Sequence, residues 1–252
     1  MCCFSGQVQR VSDTKIFARA LASGWQVLVY EMKLAARDAL AMVLPLPVPP
    51  GSAEDAVRFI DLQACADFFT RMDGGFPVSG GFSFGVAPQG LMPAAAPLAV
   101  QNVGAFEASF VPRVRDFERL DARFRLPAQA WDALPAYADW GFAVFKLKTA
   151  GAALQPVHPM AFEFPRRDPG ALFFPTVHVH DGAVHPEAAF DHTLYCQPGV
   201  GLPWPWGSTV QPASTFMPSI TFELGVVHRG QPCLRRGLHG TLPNADIVVP
   251  VV

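Results

Sequence analysis

Apolar positions fall into short runs, many with every second residue apolar, and stretches of sustained helical period are few. Residues 16–21, 25–33 and 40–48 read as successive strands separated by turns such as Ala22-Ser23-Gly24. The run from Met42 to Pro50 starts as a buried strand, and its later prolines, lacking a donor, belong at a sheet edge or in an extended exit. Ser52 has the features of an N-cap, with Glu54 and Asp55 in the first turn, and predicts a helix through about residue 72 with Phe59, Leu62 and Phe69 inward. Gly74-Gly75 ends it. A Gly/Pro-rich connection over 74–97 predicts an ordered functional loop or a boundary between halves. Residues 98–111 read as one or two strands, 116–124 and 128–134 as short helices. Residues 141–148, 159–164, 172–180, 220–227 and 247–251 are strand-like. The pattern predicts an α+β fold, mainly antiparallel or mixed β-sheet with about three flanking helices, in one domain over 1–252 that divides, if anywhere, near 74–97.

Half of the 252 residues are apolar and 16% are charged, a composition that buries a core and excludes disorder. The formal charge of −2 gives no electrostatic case for nucleic acid or an anionic membrane. No apolar run reaches the roughly 18 residues of a membrane span. The N-terminus lacks a basic stretch followed by an apolar core, and the five cysteines are irregularly spaced. Both features predict reduced thiols and a cytoplasmic location.

The chemistry concentrates in residues 172–196, which hold four of the seven histidines: His178, His180, His185 and His192. Asp181-Gly182 is a strong two-residue hairpin signal. Such a turn sets His178 opposite His185, and the two-residue side-chain period then projects His178, His180 and His185 from one face. Three imidazoles on a hairpin suit zinc, iron or copper, with His192 and Cys196 able to complete the shell and Glu187 or Asp191 orienting rings from behind. This predicts a metal-dependent enzyme acting on a small-molecule substrate, hydrolytic or oxygen-activating. The register carries the whole reading, because a longer loop changes the face of His185.

A second centre is Met1-Cys2-Cys3-Phe4. Loss of Met1 leaves Cys2 with its own α-amine as base, the arrangement of an N-terminal nucleophile.

Three resemblances accompany these residues. His178-x-His180 with a later His resembles the metal strand of cupins, with Pro232, Gly237 and His239 as a partial second motif, which implies a metal centre. The Met-Cys start with Phe17-Ala18-Arg19-Ala20-Leu21-Ala22 resembles choloylglycine-type amidohydrolases, which implies Cys2 as nucleophile with Arg19 in the same site. The segment from Gln26 through Val29-Tyr30 to Leu44-Pro45-Leu46-Pro47 resembles a bacterial domain of unknown function, which implies no activity. The remaining alternative is a non-catalytic structural or interaction domain whose histidines satisfy core contacts.

Overall fold

The structure is a computed structural model that describes residues 2–77, 101–103, 106–147, 151–180, 182–199, 202 and 205–251. Among these the strands form three sheets. The first orders β11 (His178–Val179), β1 (Cys2–Phe4), β4 (Leu40–Leu46), β8 (Gly141–Leu147), β7 (Phe106–Val111) and β6 (Gln101–Val103). The second orders β13 (Gly207–Ser208), β14 (Leu234–Pro243), β12 (Glu187–Gln197), β2 (Arg10–Ala20), β3 (Trp25–Ala36), β9 (Gly151–Pro165) and β5 (Arg58–Ile60). The third pairs β10 (Ala171–Phe174) with β15 (Ile247–Pro250). Pairing is antiparallel except for β1 with β11 and β12 with β2. Three short α-helices join them: α1 (Phe68–Gly74), α2 (Ala128–Asp132) and α3 (Ser219–Glu223). The expected α+β class, dominated by mixed and antiparallel sheet, is the one observed.

β4 is buried at every position, which its continuous apolar run dictates for a strand covered on both faces. One of its faces, with Leu40, Met42, Leu44 and Leu46, joins residues of β2, β3 and β9 in the largest core. The other, with Ala41 and Val43, packs with Phe117, Phe142 and Tyr137 under the helical segment 114–137. A third core lies beneath α1, where Phe68, Phe69 and Met72 meet Phe17, Val29 and Tyr195. Gly141 sits where β8 must pass the Phe110 ring: a Cβ there would fall 2.5 Å from that ring.

Three expectations differ from the structure. The helix expected from Ser52 is replaced by a turn, then β5, a 3-10 turn over Gln63–Cys65, and α1. The Ser52 hydroxyl donates to Pro49 O, and the sequence then pairs with β9, where Arg58 meets Glu163 at 2.6 Å. Residues 220–227, expected as a strand, hold most of α3, which begins after Pro218. The two long strands β12 and β14 went unpredicted, although they pair along ten registered positions. Most of the 74–97 connection falls outside the described residues, as does Asp181. No helix among the described residues is long and apolar enough to cross a membrane.

Candidate functional site

The expected 172–180 strand breaks at Pro175, which has no N–H to give a ladder. Its first half is β10; its second half is β11, in a different sheet. The chain between is clamped by the turn after β14: Asp246 Oδ1 accepts from Thr176 N at 2.8 Å and Val177 N at 3.1 Å. Asn244 continues the clamp. His178 N donates to its Oδ1 at 2.7 Å, and its Nδ2 donates to the carbonyls of His178 at 3.0 Å and His185 at 2.9 Å. β11 then takes β1 as its parallel neighbour, with Cys2 opposite His178 and Cys3 opposite Val179.

This pairing overturns the hairpin. Gly182 does adopt φ +80°, the left-handed turn geometry expected of it. Yet among the described residues 183–186 pair with no strand, and His185 is exposed at the loop. The partner that reaches His178 is His192, from β12, with Nε2 to Nε2 at 3.1 Å. The rings of His180, His178 and Phe190 stack in sequence, at 4.8 Å and 4.5 Å, and Phe4 lies 5.8 Å from His180. Cys196 is also on β12 but is buried in the main core, where burial pushes its thiol pKa up.

His178 is 8% exposed and His192 1% exposed. Burial is the chief cause that lowers His178 from an ordinary 6.5 to about 3 and His192 to about 2, with the neighbouring imidazoles adding to it. Both rings are therefore neutral at physiological pH, and one must donate to the other. The Nδ1 of His192 is buried with no hydrogen-bond partner, and Asp191 Oδ1 is 3.8 Å away. A buried lone pair costs less than a buried orphan N–H, so His192 donates through Nε2 and leaves Nδ1 bare. Asp191, expected to orient an imidazole, instead accepts from Asp13 N at 2.7 Å.

The metal-enzyme reading is corrected accordingly. Among the described residues no three of His, Cys, Asp and Glu are grouped to hold a metal ion. His178 and His192 lie nearly parallel at 27°, with their facing nitrogens occupied by each other, and His185 and Cys196 are elsewhere. The cluster is a neutral polar patch between two sheets.

The second centre is likewise divided. Cys2 is in β1, whereas Arg19 is in β2 of the other large sheet, where its Nε donates to Val226 O at 2.9 Å and its Nη2 to Gly225 O. Those carbonyls belong to the turn that follows α3, and burial lowers the pKa of the guanidinium. Arg19 is an anchor for that turn.

Sequence reading missed a charged group beside the core beneath α1. Asp73, at the end of α1, accepts from Tyr195 Oη at 2.6 Å and Arg235 Nη1 at 3.2 Å, with Lys15 Nζ at 3.7 Å. Arg235 also lies 4.3 Å over the Phe76 ring. Glu31, opposite Lys15 in the β2–β3 ladder, has its pKa raised to about 7, chiefly by burial. Its signal in the sequence was only a carboxylate inside an apolar strand.

No family model and no curated protein matches the chain. Solved structures do. The crystal structure of baculovirus P35 aligns over 100% of both chains, with a TM-score of 0.51 and 12% sequence identity. The fold resembles that of P35. Two further P35 structures align below a TM-score of 0.5. One is the caspase-8/P35 complex, at 0.47 and 11% identity, covering 95% of this chain and 96% of that one. The other is a mutated P35 after caspase cleavage, at 0.45 and 12% identity, covering 96% and 100%.

Proposed function

We propose that this chain is a non-catalytic interaction domain whose partner is a protein, and that a caspase-type protease is the partner class to test first. The observation that carries this reading is the full-length likeness of its fold to P35, a protein that has been solved in complex with caspase-8. The site geometry supports it from the other side. Two of the candidate residues are engaged within the fold: His178 on His192 and Arg19 on the turn after α3. The expected small-molecule substrate gives way to a protein partner, and the cytoplasmic location stays part of the proposal.

Calorimetric titration of caspase-8 with the purified chain tests it. Saturable binding with a defined stoichiometry is expected; no heat and no co-elution on gel filtration, with caspase-8 and with a panel of its relatives, overturns the protease assignment.

A further inference from the structure

The second large sheet ends in an edge that its own strands leave open. β14 pairs with β12 over its whole length, but on its other side β13 covers only Leu234 and Arg235. Among the described residues no strand pairs with 236–243 on that side. The segment is accessible, with Gly237, His239, Gly240 and Thr241 all exposed. Thr209 N donates to Cys233 O at 2.9 Å, so the odd-numbered residues of this strand direct their backbone groups toward the β13 side. By the alternation of an antiparallel ladder, Gly237 and His239 turn both N–H and C=O outward. Natural edges are usually blunted by proline, lysine or a bulge. Here Pro243 comes only at the far end, and the pairing with β12 runs without a register shift.

The charge of the edge says what it would accept. No Asp or Glu occurs between Glu223 and Asp246, a stretch that carries Arg229, Arg235, Arg236, His228 and His239. Arg235 is engaged by Asp73. Arg236 is different: among the described residues it has no hydrogen-bond or ion-pair partner, and its Nε is shielded from solvent. A guanidinium partly withdrawn from water and without a counter-charge is set up for a carboxylate delivered by a ligand. A second copy of β14 carries no Asp or Glu to meet Arg236, so the complementary occupant is not this strand's own twin.

We infer that the β14 edge is a docking site for an extended, acidic segment of another protein, which adds as a strand beside 236–239, up to the positive-φ Gly240, in line with β13 and places a carboxylate on Arg236. This rests on reading the chain as a protein-binding domain and specifies one surface of it.

The test uses the full chain and a capped peptide of about nine residues that alternates valine with glutamate and threonine, beside a twin with lysine for glutamate. The glutamate peptide is expected to bind saturably by fluorescence anisotropy, at least about tenfold more tightly than the lysine twin, and to slow amide exchange at Gly237 and His239. Arg236→Glu is expected to lose that preference, and His239→Pro, which removes an outward donor while keeping the β12 ladder, to lose the binding, with both variants unfolding at the wild-type midpoint. Equal binding of the two peptides, no binding of either, self-association through β14, or amides at Gly237 and His239 already protected in the free chain overturns the assignment. If caspase-8 binds the wild type and both β14 variants alike while the peptides fail, this edge is wrong and the protein-binding reading stands; if nothing binds, both fall.

Discussion

Replacing the histidine pair should reverse the response of stability to acid. The double substitution His178→Phe/His192→Leu keeps ring or side-chain bulk between Phe190 and the two sheets while removing both imidazoles. In the folded wild type the pair titrates at about 3 and about 2, against an ordinary 6.5. Between those values the unfolded chain holds protons that the folded one does not, so acid favours unfolding. The stability is complete above pH 6.5 and is lost as pH falls toward 3. From pH 7.5 to 5 each histidine accounts for about 2 kcal/mol, set almost wholly by the unfolded value because both folded values lie well below 5; the pair accounts for about 4 kcal/mol. Glu31 acts oppositely. Its folded value of about 7 exceeds the ordinary 4.5, so its contribution is complete below 4.5 and is lost as pH rises through 7, returning about 2 kcal/mol over the same acid step. These three groups together give a wild-type loss of about 2 kcal/mol and a double-variant gain of about 2 kcal/mol. Other groups cancel in the comparison. Urea unfolding followed by tryptophan fluorescence at both pH values reads the difference directly. A wild-type-minus-variant change below about 1 kcal/mol would refute a neutral, buried pair.

Glu31→Gln should raise stability by about 3 kcal/mol at pH 8 and by less than about 0.5 kcal/mol near pH 4.5, read by the same unfolding curves; a uniform effect at both pH values contradicts the raised carboxylate. Asn244→Ala removes three hydrogen bonds to the backbone of His178 and His185 and should cost about 2–3 kcal/mol, with amide exchange rising first at Val177 and His178. Gly141→Ala drives a methyl into the buried Phe110 ring and should lower stability by about 1–3 kcal/mol in thermal unfolding; a neutral result means the β7–β8 spacing is looser than 2.5 Å implies.

The apolar runs made β4, β8 and most of β3 legible, because burial on both faces leaves little choice of residue, and in β2 they marked the buried centre over Ile16–Ala18. β12 and β14 were not. EAAFDHTLYCQ opens with small and polar residues, and LRRGLHGTLP carries two glycines and two arginines, so their strand character comes from each other and from β2 instead of local propensity. Residues 220–227 illustrate the opposite error, since a short apolar run does not distinguish a strand from one turn of helix after Pro218. For the histidines, the residue types were legible and the register was not. The outcome depended on Pro175 splitting a strand and on β1 returning from the start of the chain to take the edge of β11, both long-range facts. His192, read as a possible extra ligand, proved to be the true neighbour of His178, and His185 left the group because its loop is held by Asn244.

Long-range proton–nitrogen NMR of the imidazoles examines the central structural claim most directly, since the correction of the three-histidine metal centre rests on what His178 and His192 do. Both rings should keep a neutral-tautomer pattern from pH 7.5 to 5, with His192 protonated on Nε2, and neither should move when an equivalent of zinc is added. Titration of either ring near 6.5, or a zinc-dependent shift at both, would contradict it.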